Sequence, residues 1–208
     1  NVYCEIHPYN DFPAIDDNVK GVILSGSPFS VRQEDHPTPD LEAIKGKLPL
    51  LGVCYGAQFL AHNYGGEVQV SSKREYGRAN LSFVDHSAPL MKGVAEDSQV
   101  WMSHADTIYS LPKGTSIMCS TSDVEVGGYR FDNEETYALQ FHPEVYHSAD
   151  GLTVLRNFVV GVCGCDQSWT PESYVDTNVA QLKEQLGDDK VVLGLSGGVD
   201  SSVAAMLL

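Results

Sequence analysis

Cys54 stands in a sequence context that could make its thiol a nucleophile. An apolar run, residues 48–53, leads into Gly52-Val53-Cys54-Tyr55-Gly56, and a helix-like segment, residues 57–64, follows. In such a strand–turn–helix arrangement the nucleophile sits in a strained turn, and flanking glycines let neighbouring backbone approach without a Cβ clash. The N-terminus of the helix favours the thiolate, and its N–H groups face the place where an oxyanion would develop. The pattern therefore predicts a thiol counterpart of the Gly-x-Ser-x-Gly nucleophile turn.

A base for this thiol is available at the end of another strand-like run. Residues 136–141 are followed at once by His142-Pro143-Glu144. Residues i and i+2 of an extended segment project to the same side, so Glu144 can accept a hydrogen bond from His142 and orient it. The C-terminal ends of strands collect at one edge of an open α/β sheet, so we expect His142 to lie near Cys54.

A third segment with chemical potential lies close to the C-terminus. Ser196-Gly197-Gly198-Val199-Asp200-Ser201-Ser202 stands between a strand-like run, residues 190–195, and a helix-like end of the chain. Successive N–H groups in such a loop can wrap an anion. No lysine follows the glycines, which excludes a Walker A phosphate loop. The sequence therefore predicts a phosphate site of another type.

The elements that position these residues alternate between strand-like and helix-like patterns. Strand-like runs cover residues 19–25, 48–53, 66–71, 81–84, 116–120 and 136–141, and helix-like runs cover 57–64 and 151–162. This mixture predicts an α/β fold with an open, mostly parallel sheet flanked by helices over residues 1–165. Residues 166–208 read as a linker helix, with Thr170 as N-cap, and the first β-loop-α unit of a second α/β domain.

Composition excludes several classes of function. A net charge of −15 argues against a nucleic-acid or anionic-membrane surface, and the apolar runs are too short to span a bilayer. The five cysteines are scattered, without the spacing of a zinc or redox site. We expect a cytoplasmic protein with reduced thiols and no metal requirement for the chemistry at Cys54.

Residues 52–58 (Gly-Val-Cys-Tyr-Gly-Ala-Gln) with residues 140–144 (Gln-Phe-His-Pro-Glu) resemble the class I glutamine amidotransferases, which have a flavodoxin-like fold. The resemblance implies that Cys54 attacks the glutamine carboxamide and that His142, oriented by Glu144, shuttles protons. It also implies that Gln58 and the backbone around Ser103 and His104 hold glutamine.

The same resemblance implies an oxyanion hole made by the backbone N–H groups of Tyr55 and Ser27. The family usually has glycine where residues 25–28 (Ser-Gly-Ser-Pro) place Ser27. A serine can donate its N–H there unless the loop requires a positive φ at that residue.

The loop at residues 196–202 resembles the pyrophosphate-binding loop of the N-type ATP pyrophosphatases. That resemblance implies ATP held by the backbone and serine hydroxyls, with Asp200 assisting Mg²⁺. A class I triad upstream of this loop resembles the GMP synthetases, which implies amination of xanthosine 5′-monophosphate (XMP) with glutamine as nitrogen donor. The chain begins without Met. We expect a trimmed chain that lacks the family's opening strand and helix, its XMP site and its homodimerisation regions.

Two other functions stay open at this point. The chain could be a class I amidotransferase that serves another synthetase. It could also be a catalytically silent module that regulates a partner, with Cys54 as a small buried residue and residues 142–144 as a turn.

Overall fold

The computed structural model describes residues 2–12 and 14–208, apart from the side chains of residues 72–75. Within this range the chain divides into two compact units. One comprises Ile6–Cys165, and the other comprises Asp166–Leu208 with the first few residues of the chain. In the described part of the chain, no helix is long and apolar enough to cross a membrane.

The first unit is built on a seven-stranded sheet with the strand order β1-β2-β7-β6-β5-β3-β4. Its strands are β1 (Val22–Leu24), β2 (Leu50–Val53), β3 (Glu67–Val84), β4 (Gln99–Ser110), β5 (Thr115–Thr121), β6 (Gly128–Phe131) and β7 (Thr136–Leu139). Its helices are α1 (Tyr55–Asn63), a 3₁₀ turn (Pro89–Met91) and α2 (Gly151–Arg156), which continues as a π-helical segment, Asn157–Val162.

The predicted α/β class is confirmed, but the sheet is mixed rather than mostly parallel. Strand β2 pairs in parallel with β1 and β7, whereas β3 pairs antiparallel with β4 and β5, and β6 pairs antiparallel with β5 and β7. The short links from β5 to β6 and from β6 to β7 leave no room for a crossover, so these neighbours must run in opposite directions. The parallel region is confined to the strands around Cys54.

Two apolar clusters cover the opposite faces of this sheet. Strand β2 is buried along its whole length, and it contributes Leu51 to one cluster and Leu50 to the other. Alternate residues of a strand point to opposite faces, so a short strand can supply both clusters. Phe158 of the π-helical segment covers the first face, and Phe59 of α1 covers the second. Helices therefore flank the sheet on both sides.

The antiparallel region departs most from the sequence-based expectation. The runs predicted at residues 66–71 and 81–84 are parts of the single long strand β3, and strands β4 and β6 were not predicted. Along β4 the buried positions include His104 and Asp106 as well as apolar residues. Polar residues at buried positions conceal the alternation that would have predicted this strand.

The second unit contains α3 (Pro171–Leu186) and α4 (Val199–Leu207). The predicted N-cap is present, because the Thr170 side chain accepts a hydrogen bond from the Ser173 N–H in a reciprocal capping box. The strand predicted at residues 190–195 does not form in the described chain. A strand is stabilised by hydrogen bonds to a neighbour, and this segment pairs with no other strand in the described residues.

Candidate active site

Cys54 occupies the turn between β2 and α1 in a strained backbone conformation. Its φ is 52° and its ψ −102°, and it is the N-cap residue of α1. Positive φ is costly for a residue with a Cβ, on the order of 1–3 kcal/mol, and such strain is concentrated at functional sites. The turn is anchored by the Cys54 N–H, which donates to Leu139 O of β7 at 2.8 Å, and the residue is 6% exposed.

The two glycines that flank Cys54 allow close backbone contacts that a side chain would prevent. A Cβ at Gly52 would lie 2.7 Å from the carbonyl carbon of Gly56, in the first turn of α1. A Cβ at Gly56 would lie 2.5 Å from Leu24 O of β1. Helix α1 thus packs directly against β1 and β2, and this close packing determines where the Cys54 thiol projects.

His142 and Glu144 lie beside Cys54, just beyond the end of β7. His142 Nδ1 is 2.6 Å from Glu144 Oε1, and the Cys54 thiol lies close enough to the imidazole to raise its pKa. The backbone N–H of His142 donates to Trp101 O of β4 at 2.9 Å. The three residues therefore lie together in the order Cys–His–Glu, and the last two are joined by a hydrogen bond.

These contacts shift the pKa values of His142 and Glu144. The nearby Cys54 thiol and then the hydrogen bond to Glu144 raise the pKa of His142 to about 10, although burial opposes this shift. Burial is the largest single effect and would raise the pKa of Glu144, but the hydrogen bond from His142, a backbone hydrogen bond and the charge of His142 together outweigh it, so the pKa is lowered. The geometry thus favours an imidazolium between a sulfur and a carboxylate.

The loop after β1, residues 25–28, closes over the thiol and the imidazole. A Cβ at Gly26 would lie 3.3 Å from His142 Cε1 and 3.8 Å from the Cys54 Cβ, so Gly26 lies directly beside both residues. Next to it, the Ser27 hydroxyl accepts a hydrogen bond from the Phe29 N–H. Among the described non-glycine residues, positive φ occurs at Cys54 and Asp97 and not at Ser27. The loop therefore accommodates serine at this position without backbone strain.

Tyr55 begins α1, so its N–H has no acceptor within the helix. Its side chain turns away from the thiol, because the hydroxyl donates to Pro37 O at 2.5 Å. Burial raises the pKa of Tyr55 to about 12. The Tyr55 backbone, rather than its phenol, is the part that is available at the turn.

Strand β4 supplies the remaining wall of the site. The Cys54 sulfur lies 3.7 Å from Ser103 O. The buried side chains of His104 and Gln58 both bond to Asp106 O, from Nδ1 and Nε2 respectively, each at 2.9 Å. Burial lowers the pKa of His104, which keeps its imidazole neutral. Gln58 thus joins α1 to β4 at the edge of the site.

The structure reveals neighbours of the site that sequence patterns did not indicate. The Ser148 hydroxyl bonds to His142 O, and a Cβ at Gly151 would lie 2.0 Å from Pro143 O. On the opposite side, the Asp106 carboxylate accepts hydrogen bonds from Ser30 and Arg32. Neither a single serine nor a glycine at the start of a helix carries a signal of such contacts in one sequence.

The predicted phosphate loop lies in the second unit, which is described by itself. Gly197 has a φ of 81°, Gly198 is the N-cap of α4, and Val199 and Asp200 begin the helix. The hydroxyls of Ser201 and Ser202 both bond to Gly198 O, and Ser196 Oγ lies 3.0 Å from Ser201 Oγ. The loop thus presents backbone and hydroxyl groups at a helix N-terminus, as an anion requires.

The chain is similar to known proteins along its whole length. The family model "Glutamine amidotransferase class-I" matches residues 1–162, and the model "NAD synthase" matches residues 173–208. The whole chain is 61% identical to a glutamine-hydrolysing GMP synthase of Cytophaga hutchinsonii and 58% identical to one of Bacteroides fragilis. It spans 41% of the length of each of these relatives.

Solved structures show the same fold over most of the chain. A Thermoplasma acidophilum protein, provisionally assigned as part of a GMP synthase, is 29% identical and superposes with a TM-score of 0.58 over 77% of each chain. A glutamine amidotransferase of Methylobacillus flagellatus, 22% identical, gives a TM-score of 0.53 over 70% of this chain and 59% of the other. With a family model covering residues 1–162 and this fold, the chain belongs to the class I glutamine amidotransferases.

Proposed function

We propose that the first unit hydrolyses glutamine and releases ammonia, with Cys54 as nucleophile, His142 as base and acid, and Glu144 as the group that orients His142. The observation that supports this most directly is that Cys54, His142 and Glu144 lie side by side, with His142 hydrogen-bonded to Glu144 and Cys54 in a strained turn at a helix N-terminus. A nucleophile, a base and an orienting carboxylate in this order are the elements of a catalytic triad.

The reaction follows from these positions. The Cys54 sulfur attacks the carboxamide carbon of glutamine, and His142 donates a proton to the departing nitrogen, which leaves as ammonia. A glutamyl thioester remains on Cys54. His142 then takes a proton from water as its oxygen attacks the thioester, and glutamate leaves with regeneration of the thiol.

The groups around the thiol suit the other needs of this reaction. The N–H groups of Tyr55 and Ser27 are proposed to stabilise the oxyanion, from the start of α1 and from the loop over His142. Gln58, Ser103 and His104 are proposed to hold glutamine. Because Gln58 and His104 both donate to Asp106 O, we assign the two side chains to shaping the glutamine pocket beside the Ser103 backbone.

We further propose that the ammonia serves the ATP-dependent conversion of XMP to GMP in the full-length protein. The support is the identity to GMP synthases along the whole chain and the match of residues 173–208 to a family model. Residues 196–202 would hold the phosphates of ATP through backbone N–H groups and serine hydroxyls. Homodimerisation and a cytoplasmic location are proposed on the same basis, and all five cysteines are free thiols.

The proposed Mg²⁺ would accompany ATP at Asp200. In the described residues, no group of three or more His, Cys, Asp or Glu side chains is arranged to hold a metal ion. Mg²⁺ in nucleotide sites is commonly held by one or two carboxylates, water and the phosphates themselves. One carboxylate in the first turn of α4, beside the phosphate loop, fits that requirement.

A glutamine analogue bearing a reactive diazoketone tests the proposed nucleophile. We expect one covalent adduct per chain, mapped by mass spectrometry to Cys54 and blocked by excess glutamine. Cys119 and Cys163 are internal controls, because burial raises the pKa of each thiol to about 12 and leaves little thiolate. Labelling spread over several cysteines, or an adduct that survives in a Cys54→Ala variant, would contradict the proposal.

The raised pKa of His142 predicts a pH dependence that Glu144 controls. Glutamine hydrolysis should fall as pH rises through about 10, where His142 loses the proton that it donates to ammonia. Glu144→Gln removes one of the causes that raise this pKa, so the alkaline limb should move to lower pH and kcat at neutral pH should fall about 100-fold.

Folding stability should also decrease as pH rises. The stabilisation contributed by protonated His142 is complete below about pH 6.5 and disappears as pH approaches 10.

The matched control for this change is a second histidine–glutamate pair outside the site. His86 and Glu96 lie 3.8 Å apart on the surface. Glu96→Gln should leave the pH profile of glutamine hydrolysis unchanged. If Glu144→Gln also leaves the alkaline limb in place, Glu144 does not act on His142 in the proposed way.

A further inference from the structure

We propose that Ser148 is a positioning residue that sets the place of His142 relative to Cys54. This inference rests on the proposed glutaminase function and extends it to a residue that contacts neither the thiol nor the substrate. Ser148 acts through the backbone of His142 and not through its ring.

The Ser148 hydroxyl makes two hydrogen bonds, and both lead to His142. It donates to His142 O at 2.6 Å and accepts from the Trp101 N–H at 3.1 Å. Trp101 O in turn accepts from the His142 N–H at 2.9 Å. The N–H and C=O of His142 are thus both fixed to the same residue of β4, one directly and the other through Ser148.

The location of Ser148 makes these bonds difficult to replace. The side chain is 6% exposed, so water has little access to the Trp101 N–H or the His142 carbonyl if the hydroxyl is removed. Neighbouring contacts hold the hydroxyl in place: Gln99 Nε2 donates to His147 O at 2.6 Å, and the Ala149 N–H donates to Gln99 O at 2.8 Å. The segment that carries Ser148 is therefore attached to β4 on both sides of it.

This arrangement places His142 and Cys54 against the same strand, β4. The same strand carries Ser103, whose carbonyl oxygen lies 3.7 Å from the Cys54 sulfur. A shift of His142 along β4 would change the distance between its ring and the sulfur, and proton transfer is sensitive to displacements of about 1 Å. Ser148 thus fixes the position of His142 relative to β4, the strand whose Ser103 carbonyl faces the thiol.

Ser148→Ala tests the inference in the full-length protein. We expect kcat for glutamine hydrolysis to fall about 30- to 100-fold with KM within about twofold, because the base is displaced and glutamine binding is not. The NMR titration of the His142 ring should also move to lower pH, as the ring moves away from Cys54, which raises its pKa. Ser148→Thr keeps the hydroxyl and should restore most of kcat and the titration of the original protein.

Ser98 supplies the control, since it is equally buried at 6% exposure and its hydroxyl has no hydrogen-bond partner among the described residues. Ser98→Ala should leave kcat and the titration unchanged. The inference is overturned if Ser148→Ala keeps kcat within about threefold, or if Ser148→Thr titrates differently from the original protein. The Thr variant decides the matter even if the Ala variant does not fold.

The two proposals fail in different ways. If the His142 titration shifts in Ser148→Ala but the original protein hydrolyses no glutamine, Ser148 positions His142 and the glutaminase function is wrong. If glutamine is hydrolysed with Cys54 trapped and Ser148→Ala changes neither kcat nor the titration, the function stands and the role of Ser148 is wrong.

Discussion

Replacing Cys54 with alanine should abolish the proposed glutamine-dependent GMP synthesis by the full-length protein and leave ammonia-dependent synthesis within about twofold. The loss should exceed about 1,000-fold, because no other described group near His142 can form the thioester. Alanine bears a Cβ as cysteine does, so it keeps the same strained backbone at φ 52° and changes little except the sulfur. Initial rates with glutamine and with ammonium salts, on the same preparation, measure both routes.

The converse variant is Asp200→Asn in the proposed ATP loop. It should reduce synthesis from both nitrogen donors, because the loop acts after ammonia has formed, and it should leave trapping of Cys54 intact. If Cys54→Ala loses the ammonia route as well, Cys54 is structural. Product formation with an acceptor other than XMP would instead favour an amidotransferase of another pathway.

Gly151→Ala should reduce kcat for glutamine hydrolysis about 100-fold and destabilise the fold by about 1–3 kcal/mol. The added Cβ would lie 2.0 Å from Pro143 O and 2.9 Å from the Pro143 carbonyl carbon. Both are backbone atoms between His142 and Glu144, so the hydrogen-bonded pair must move. Helix propensity alone would favour alanine by about 0.5–1 kcal/mol, and the clash outweighs it. Denaturant unfolding and steady-state kinetics measure the two effects.

Gly161→Ala is the matched control in the π-helical segment that continues α2. A Cβ there would meet no heavy atom within 4 Å, so the variant should be at least as stable as the original protein and equally active. Equal behaviour of the two alanine variants would mean that the segment after β7 adapts freely, and the rigid position inferred for His142 would be wrong.

The centre of the candidate site could be predicted from the sequence because its signals are local. The turn at Cys54 depends on a strand, two glycines and a helix that are adjacent in the chain, and the spacing of His142 and Glu144 is that of an extended segment. The same holds for the cap at Thr170. Each of these features follows from neighbours within a few residues.

The remainder depends on contacts between distant segments, which a single sequence does not display. Strand β4 carries buried polar residues such as Asp106, which is buried because Ser30 and Arg32 reach it from the loop after β1. Ser148 and Gly151 matter through atoms of Trp101 and Pro143 that come near only in the folded chain. The sheet direction was mispredicted for the same reason, since the pairing of β3 with β4 and β5 is not encoded in any one segment.

Strand β4 lies at the far edge of the sheet from β2, yet its Ser103 carbonyl oxygen is 3.7 Å from the Cys54 sulfur. Four strands separate β2 from β4 in the sheet order. The antiparallel ribbon of β3 and β4 must therefore fold over the sheet towards the turn at Cys54. The ribbon is joined to the rest of the sheet through the pairing of β3 with β5, so it can reach the turn only when the intervening strands are in place. We therefore expect thiol reactivity at Cys54 to appear with the last cooperative step of refolding. A newly synthesised chain would then have no reactive Cys54 thiol until the β3–β4 ribbon has packed against the turn at Cys54.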